Sequence, residues 1–247
     1  MWVRVGLTLV GTALACAACA GASAAQHPAS VHHATAVRQD SAPPAAAIRK
    51  AVGWRVPARP SGRGAYLMAR LRHTLHTRFG PVKPKTRFGQ PVWVPVLRYH
   101  GARGALLVPL GPSGRIVHAS LRRMPLRWTR TRVVVNLALS RITVLRGRRR
   151  LGSFPIGQGT SETPTPVGRF FVTDRLIFPP GSPYTPFAFG LSARQTRLAS
   201  TWVGGDQIAI HPGPLGRVSN GCIHVPLLAI ALLRSAAPLG TIVTVRG

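Results

Sequence analysis

The chemistry this sequence can do starts with two side chains, His211 and Cys222. Between them runs Pro212-Gly213-Pro214-Leu215-Gly216-Arg217-Val218-Ser219-Asn220-Gly221, a stretch whose Gly and Pro residues turn a chain back on itself. A loop of that composition brings the imidazole within reach of the thiol. An imidazole that takes the thiol proton leaves a thiolate, strongly nucleophilic near neutral pH. Arg217 adds nearby positive charge, which is expected to lower the thiol pKa further. Backbone N–H groups around Gly221 and Cys222 are candidates to hold the oxyanion formed when an amide carbonyl is attacked. His224 competes with His211 as the base, because residues two apart on a strand point to the same face.

Such a pair needs a rigid frame, and the surrounding sequence reads as β-structure. Ile208-Ala209-Ile210 forms a short strand that delivers His211 at its end. Farther upstream, Val133–Leu139 and Ile142–Leu145 flank a hairpin connection at Ser140-Arg141, and Arg146–Arg150 is a basic turn before a strand at Leu151–Ile156. Thr163-Pro164-Thr165-Pro166-Val167-Gly168 is a rigid turn leading into a strand at Arg169–Thr173. Leu227–Leu233 reads as a short helix and Thr241–Val245 as a closing strand. Ahead of this unit, residues 61–128 read as a small β-rich module with strands at Val92–Leu97, Ala105–Leu110 and Gly114–Val117. At its start, Leu67, Leu71 and Leu75 recur every fourth residue and predict a short helix within Tyr66–Phe79. Trp93 and Trp128 are expected in the core.

Charge and the N-terminus bound the partners. Thirty-three Lys and Arg face four acids, Asp40, Glu162, Asp174 and Asp206, for a net charge of +29. That balance calls for a polyanion, either nucleic acid or an anionic wall polymer. Met1-Trp2-Val3-Arg4 is followed by an apolar run from Val5 to Ala18 and small residues around Ala22-Ser23-Ala24, the pattern of a secretory signal peptide at 1–25. Left uncleaved, it would serve as a membrane anchor. Export excludes nucleic acid as the working partner, and no nucleic-acid motif is present. Residues 26–60 form an Ala/Pro-rich linker; His27, His32 and His33 within it lack the Cys or carboxylate partners of a metal site. No metal or organic cofactor is expected. With the signal removed, Cys222 is the sole cysteine, a thiol that must be buried or employed in an oxidising compartment.

Three ordered motifs resemble the L,D-transpeptidase family and its YkuD-like catalytic domain. His211, Ser219, Gly221, Cys222 and Ile223 match the catalytic signature; Thr163-Pro164-Thr165-Pro166-Val167-Gly168-Arg169-Phe170 matches the entry to a central strand; and Pro186–Ser192 resembles the substrate-loop region. The resemblance covers 129–247 and implies a mainly β, β-sandwich-like catalytic domain. By resemblance, Cys222 attacks a peptidoglycan stem peptide and releases the terminal D-Ala. An amine then resolves the thioester as a 3→3 cross-link, or water resolves it as L,D-carboxypeptidase activity. The resemblance further implies that the Pro212 carbonyl orients His211, and that Ser219, Asn220, His224 and Tyr184 meet substrate. The chain departs from the family in a short His211–Ser219 spacing, in Asn220 where His is usual, and in His224 where Arg or Asn is usual. These departures and the basicity keep a non-catalytic wall-binding protein on the same fold as the alternative.

Overall fold

The computed structural model describes residues 54–202 and 205–247. The expected signal peptide and residues 26–53 of the expected linker lie outside the described residues. The linker's described end, residues 54–60, is not free of the fold: Trp54 and Val56 pack on a core cluster, and the Pro57 carbonyl accepts the Trp128 indole N–H at 2.8 Å. Strands make up 49% of the structure and helix 5%, so the fold is mainly β. Among the described residues, no helix is long and apolar enough to cross a membrane.

The first sheet takes in β1 (Tyr66–Arg70), β4 (Trp93–His100), β5 (Arg103–Val108), β6 (Arg115–Ser120) and β7 (Leu126–Thr129), in the antiparallel order β6-β5-β4-β1-β7. Two short strands, β2 (Leu75–Thr77) and β3 (Gly80–Val82), form a separate hairpin. The helix expected within Tyr66–Phe79 is absent, replaced by β1 and β2. β1 is hydrogen-bonded on both edges, to β4 and β7, and Leu67, Met68 and Ala69 are buried in succession. Leu67 lies in β1, Leu71 just after it and Leu75 in β2, so the four-residue recurrence spans two strands and imitates a helix.

The second sheet holds β8 (Thr131–Asn136), β9 (Arg141–Arg146), β10 (Arg149–Pro155), β11 (Gly157–Gly159), β12 (Gly168–Ile177), β13 (Phe187–Arg194), β14 (Gln207–Pro212), β15 (Gly216–Ser219), β16 (Ile223–Val225) and, after α1 (Leu227–Ala236), β17 (Ile242–Arg246). Its order is β10-β9-β8-β17-β12-β13-β14-β16-β11-β15. The long strand β12 joins the halves: Gly168–Phe171 pair with β17 and Val172–Ile177 pair with β13, with a register shift between Val172 and Asp174. A shift of that kind bends and twists a strand. One core cluster gathers Val133, Ile142 and Val243 from one half with Phe189, Ile210 and Ile223 from the other, and α1 closes it with Ala229 and Leu233. Pro186–Ser192, expected to resemble a substrate loop, is instead largely β13, buried from Phe187 to Ala193. The loop is the preceding stretch, residues 178–186.

The two sheets belong to one compact unit. Phe170 packs in the core of the second sheet, while the adjacent Phe171 packs in the core of the first. A buried carboxylate adds a polar tie: Asp174 accepts from Thr86 Oγ1, Thr173 Oγ1 and Gln207 Nε2.

Candidate active site

Strand register builds the site. β14 and β16 are parallel neighbours with Ile210 opposite Ile223 and His211 opposite His224. Paired residues share a face and the pleat alternates, so Cys222, one residue before β16, lies on the face of His211 and His224. The histidine rings meet edge to face at 4.7 Å between centroids.

Each imidazole is tied to the returning loop. His211 Nδ1 donates to the Pro212 carbonyl at 2.8 Å, and His224 Nδ1 donates to the Pro214 carbonyl at 2.9 Å. A carbonyl only accepts, so both rings carry a proton on Nδ1, and the neutral His211 keeps its lone pair on Nε2. His224 lies under the loop: a Cβ on Gly213 would fall 2.7 Å from its ring, and one on Gly157 would fall 2.1 Å from the Pro214 oxygen. The approach of these backbones requires glycine at both positions.

The turn carrying the thiol is held from several directions. Gly221 has φ +105°, and a Cβ there would meet Gln195 Nε2 at 2.5 Å. Ser219 Oγ donates to the Cys222 carbonyl at 2.6 Å and accepts the Gly221 N–H at 3.1 Å. Ser219 is thereby buried and engaged within the turn, as is the Gly221 N–H considered for an oxyanion. Asn220 is exposed, with Oδ1 3.4 Å from Thr163 Oγ1. Thr163 Oγ1 also donates to the Ser219 carbonyl at 3.2 Å, Thr165 Oγ1 to the Gly221 carbonyl at 3.0 Å, and Gln195 Nε2 to the Pro164 carbonyl at 2.9 Å. The Thr-Pro-Thr-Pro segment is therefore a brace for the Ser219–Cys222 turn. The sequence marked that motif, but the role of its hydroxyls and of Gln195 rests on contacts many residues apart.

Tyr184 stacks edge to face on His211 at 4.8 Å and packs on Phe178 at 5.1 Å. Beside it opens a cleft of about 410 Å³ bordered by Arg87, Phe88, Phe178, Tyr184, Ala188 and Ala209. Arg87 and Phe88 come from the loop after β3, a contribution the sequence did not signal.

Electrostatics differ from the expectation of an activated thiolate. Burial pushes the Cys222 thiol up, only partly opposed by the Ala209 backbone hydrogen bond. Arg217 is exposed on β15 and has no part in the shift. Burial also takes His211 from 6.5 down to about 4; the Pro212 and Pro183 carbonyls oppose that shift and the His224 charge adds to it. Tyr184 is raised by burial and by the nearby thiol, against Arg87. At neutral pH the dyad rests as thiol and neutral imidazole. Among the described residues no cluster of His, Cys, Asp or Glu could hold a metal ion.

These elements and their order define a β-rich thiol–imidazole domain. Residues 130–245 match the model of the L,D-transpeptidase catalytic domain, YkuD. The YkuD protein of Bacillus subtilis (strain 168), whose name assigns it to the L,D-transpeptidases, is 28% identical over 114 residues, or 46% of this chain and 64% of that relative. The match thus spans less than two thirds of the relative's length. Two solved structures from Mycobacterium tuberculosis are also similar. L,D-transpeptidase 1 is 19% identical with a TM-score of 0.39, covering 77% of this chain and 98% of that one. An L,D-transpeptidase of strain H37Rv is 19% identical with a TM-score of 0.42, covering 63% and 71%.

Proposed function

We propose that the chain is an exported peptidoglycan L,D-transpeptidase that works through a thioester on Cys222, with His211 as base. The observation that carries this reading is the register of β14 on β16, which puts His211 and Cys222 on one face of the sheet, with the His211 ring tied through Nδ1 to the Pro212 carbonyl. His211 Nε2 takes the thiol proton as sulfur bonds to the carbonyl carbon of the third stem residue. Collapse of the tetrahedral adduct expels the terminal D-Ala amine, which takes that proton back. A neighbouring stem's amine, giving its own proton to His211, displaces the thiol and leaves a 3→3 cross-link; water in its place gives L,D-carboxypeptidase activity. Because the resting pair is neutral, proton transfer accompanies attack rather than preceding it.

The Cys222 N–H is the oxyanion donor in this scheme, aimed by the Gly221 turn and the Ser219 hydroxyl. His224 positions the loop that orients His211, and the stem peptide lies in the cleft beside Tyr184, where Arg87 offers a guanidinium to a peptide carboxylate. Asn220, exposed on the turn that carries the thiol, is a candidate to meet the stem peptide. The net charge of +29 suits anionic wall polymers as a second partner.

Intact-protein mass spectrometry with a carbapenem tests the reading. The wild type is expected to gain one covalent adduct, Cys222→Ala none, and His211→Ala the same adduct about 10² to 10⁴ times more slowly. An adduct lost only in His224→Ala reverses the base assignment. A folded wild type that takes no adduct supports the non-catalytic wall-binding alternative.

A further inference from the structure

Three arginines from three elements converge on a cavity of about 490 Å³: Arg127 on β7, Arg175 on β12 and Arg234 near the end of α1, with Trp93, Ile177 and Phe187 also in its wall. The cavity stands back to back with the catalytic cleft. Leu176 and Ala188, paired across β12 and β13, face the cleft, while the next pair, Ile177 and Phe187, faces the arginines.

The guanidiniums are ordered but not neutralised. Arg127 lies over the Trp93 ring at 3.9 Å and donates through Nη2 to the Leu239 carbonyl at 2.8 Å. Arg175 donates through Nη2 to the Arg234 carbonyl, and both Arg175 and Arg234 approach Phe187, at 5.8 and 5.4 Å from its centroid. The Nε atoms of Arg127 and Arg175 are buried without a partner. An unmet charged donor is costly. Burial and a neighbouring guanidinium hold Arg127 and Arg175 below the usual arginine range.

None of the three described carboxylates is available to them. Glu162 bonds Ser161, Asp206 pairs with Arg194, and Asp174 is enclosed by Thr86, Thr173 and Gln207. The C-terminus of α1 offers only about half a negative charge. A carboxylate would bring one charge and two oxygens; a phosphate brings up to about two charges and more acceptor oxygens, matching three forked donors. Three guanidiniums in the wall of one cavity, with no described acidic side chain to meet them, call for an anionic ligand.

We propose that this cavity is a phosphate-binding site in which one phosphate group bridges Arg127 of the first sheet to Arg175 and Arg234 of the second. The group is either free phosphate or the terminal phosphomonoester of an anionic wall polymer. A bound phosphate would lock the two sheets in the relative position that brings Arg87 and Phe88 to the catalytic cleft. This site stands apart from the thiol chemistry, so carbapenem acylation reports independently on the fold.

Calorimetric titration of the full chain with inorganic phosphate, at ionic strength balanced with chloride, tests the site. Saturable binding of one phosphate is expected, weakened about tenfold or more in Arg234→Gln and in Arg175→Gln. Arg234 is exposed, so its variant keeps the fold. Arg148→Gln, in the exposed β9–β10 turn, removes the same charge and is expected to bind as the wild type does. A glycerol-phosphate oligomer ending in a phosphomonoester that competes with phosphate identifies the polymer as the source; an oligomer that does not compete identifies free phosphate. Unsaturable binding, or equal weakening in Arg148→Gln and Arg234→Gln, overturns the site in favour of general charge attraction.

Discussion

Acid titration of His211 joins the buried dyad to a measurable number. In the unfolded chain this imidazole titrates near its ordinary 6.5, and in the folded protein at about 4. Between those values the unfolded chain binds a proton that the native state refuses, so unfolding is promoted by acid. The contribution is complete once pH falls to about 4 and absent above about 6.5. At roughly 1.4 kcal/mol per pH unit, it amounts to about 3 kcal/mol. Urea unfolding of wild type and His211→Gln between pH 7.5 and pH 4 isolates it, because glutamine carries no titrating proton. The wild type is expected to lose about 3 kcal/mol more than the variant over that range. The rate of Cys222 acylation by a carbapenem carries the same signature: level from neutrality to about pH 5, then falling with a midpoint near 4 as Nε2 becomes protonated. Parallel pH slopes for the two proteins, or an acylation midpoint near 6.5, would refute a buried neutral imidazole.

Gly221→Ala places a Cβ 2.5 Å from Gln195 Nε2 at a positive φ; a loss of about 2 kcal/mol or more in thermal unfolding is expected, with acylation slowed beyond tenfold. His224→Ala releases the Pro214 carbonyl and should slow acylation about tenfold while the pH midpoint rises slightly, because the His224 charge no longer opposes protonation of His211. A rate loss as large as that of His211→Ala would contradict the positioning role. Asp174→Ala strands the Thr86 hydroxyl and removes one of several acceptors from Thr173 and Gln207 at a buried site, and is expected to cost about 1–3 kcal/mol in urea unfolding at pH 7; a loss below about 0.5 kcal/mol would show that water replaces the carboxylate.

Local chemistry was the legible part of this sequence. The Gly/Pro loop between His211 and Cys222 announces a reversal because few other compositions turn so tightly, and the β8–β9 and β9–β10 hairpins follow from turn residues near Ser140 and Gly147. Buried strands were less legible. β13 is covered on both faces, so it does not alternate and was read as a loop, while the leucine recurrence across β1 and β2 was read as a helix. The thiol's environment was misread because Arg217 is near in sequence but exposed in space, where burial outweighs it. Contacts such as Thr86 with Asp174, or Thr165 with Gly221, join positions far apart and leave no local pattern.

The adjacent phenyl rings of β12 also bear on how this protein can be dissected. A recombinant fragment beginning at Arg130 would retain every residue that matches the catalytic family, yet it would strip the cover from Phe171 while leaving Phe170 enclosed. Exposing one such ring forfeits roughly 1.5–3 kcal/mol and opens an apolar spot to solvent. The same excision removes Thr86 from Asp174 and Arg87 from the cleft rim. Fragments meant for assay or crystallisation are therefore best started ahead of Trp54, which packs on the first sheet's core.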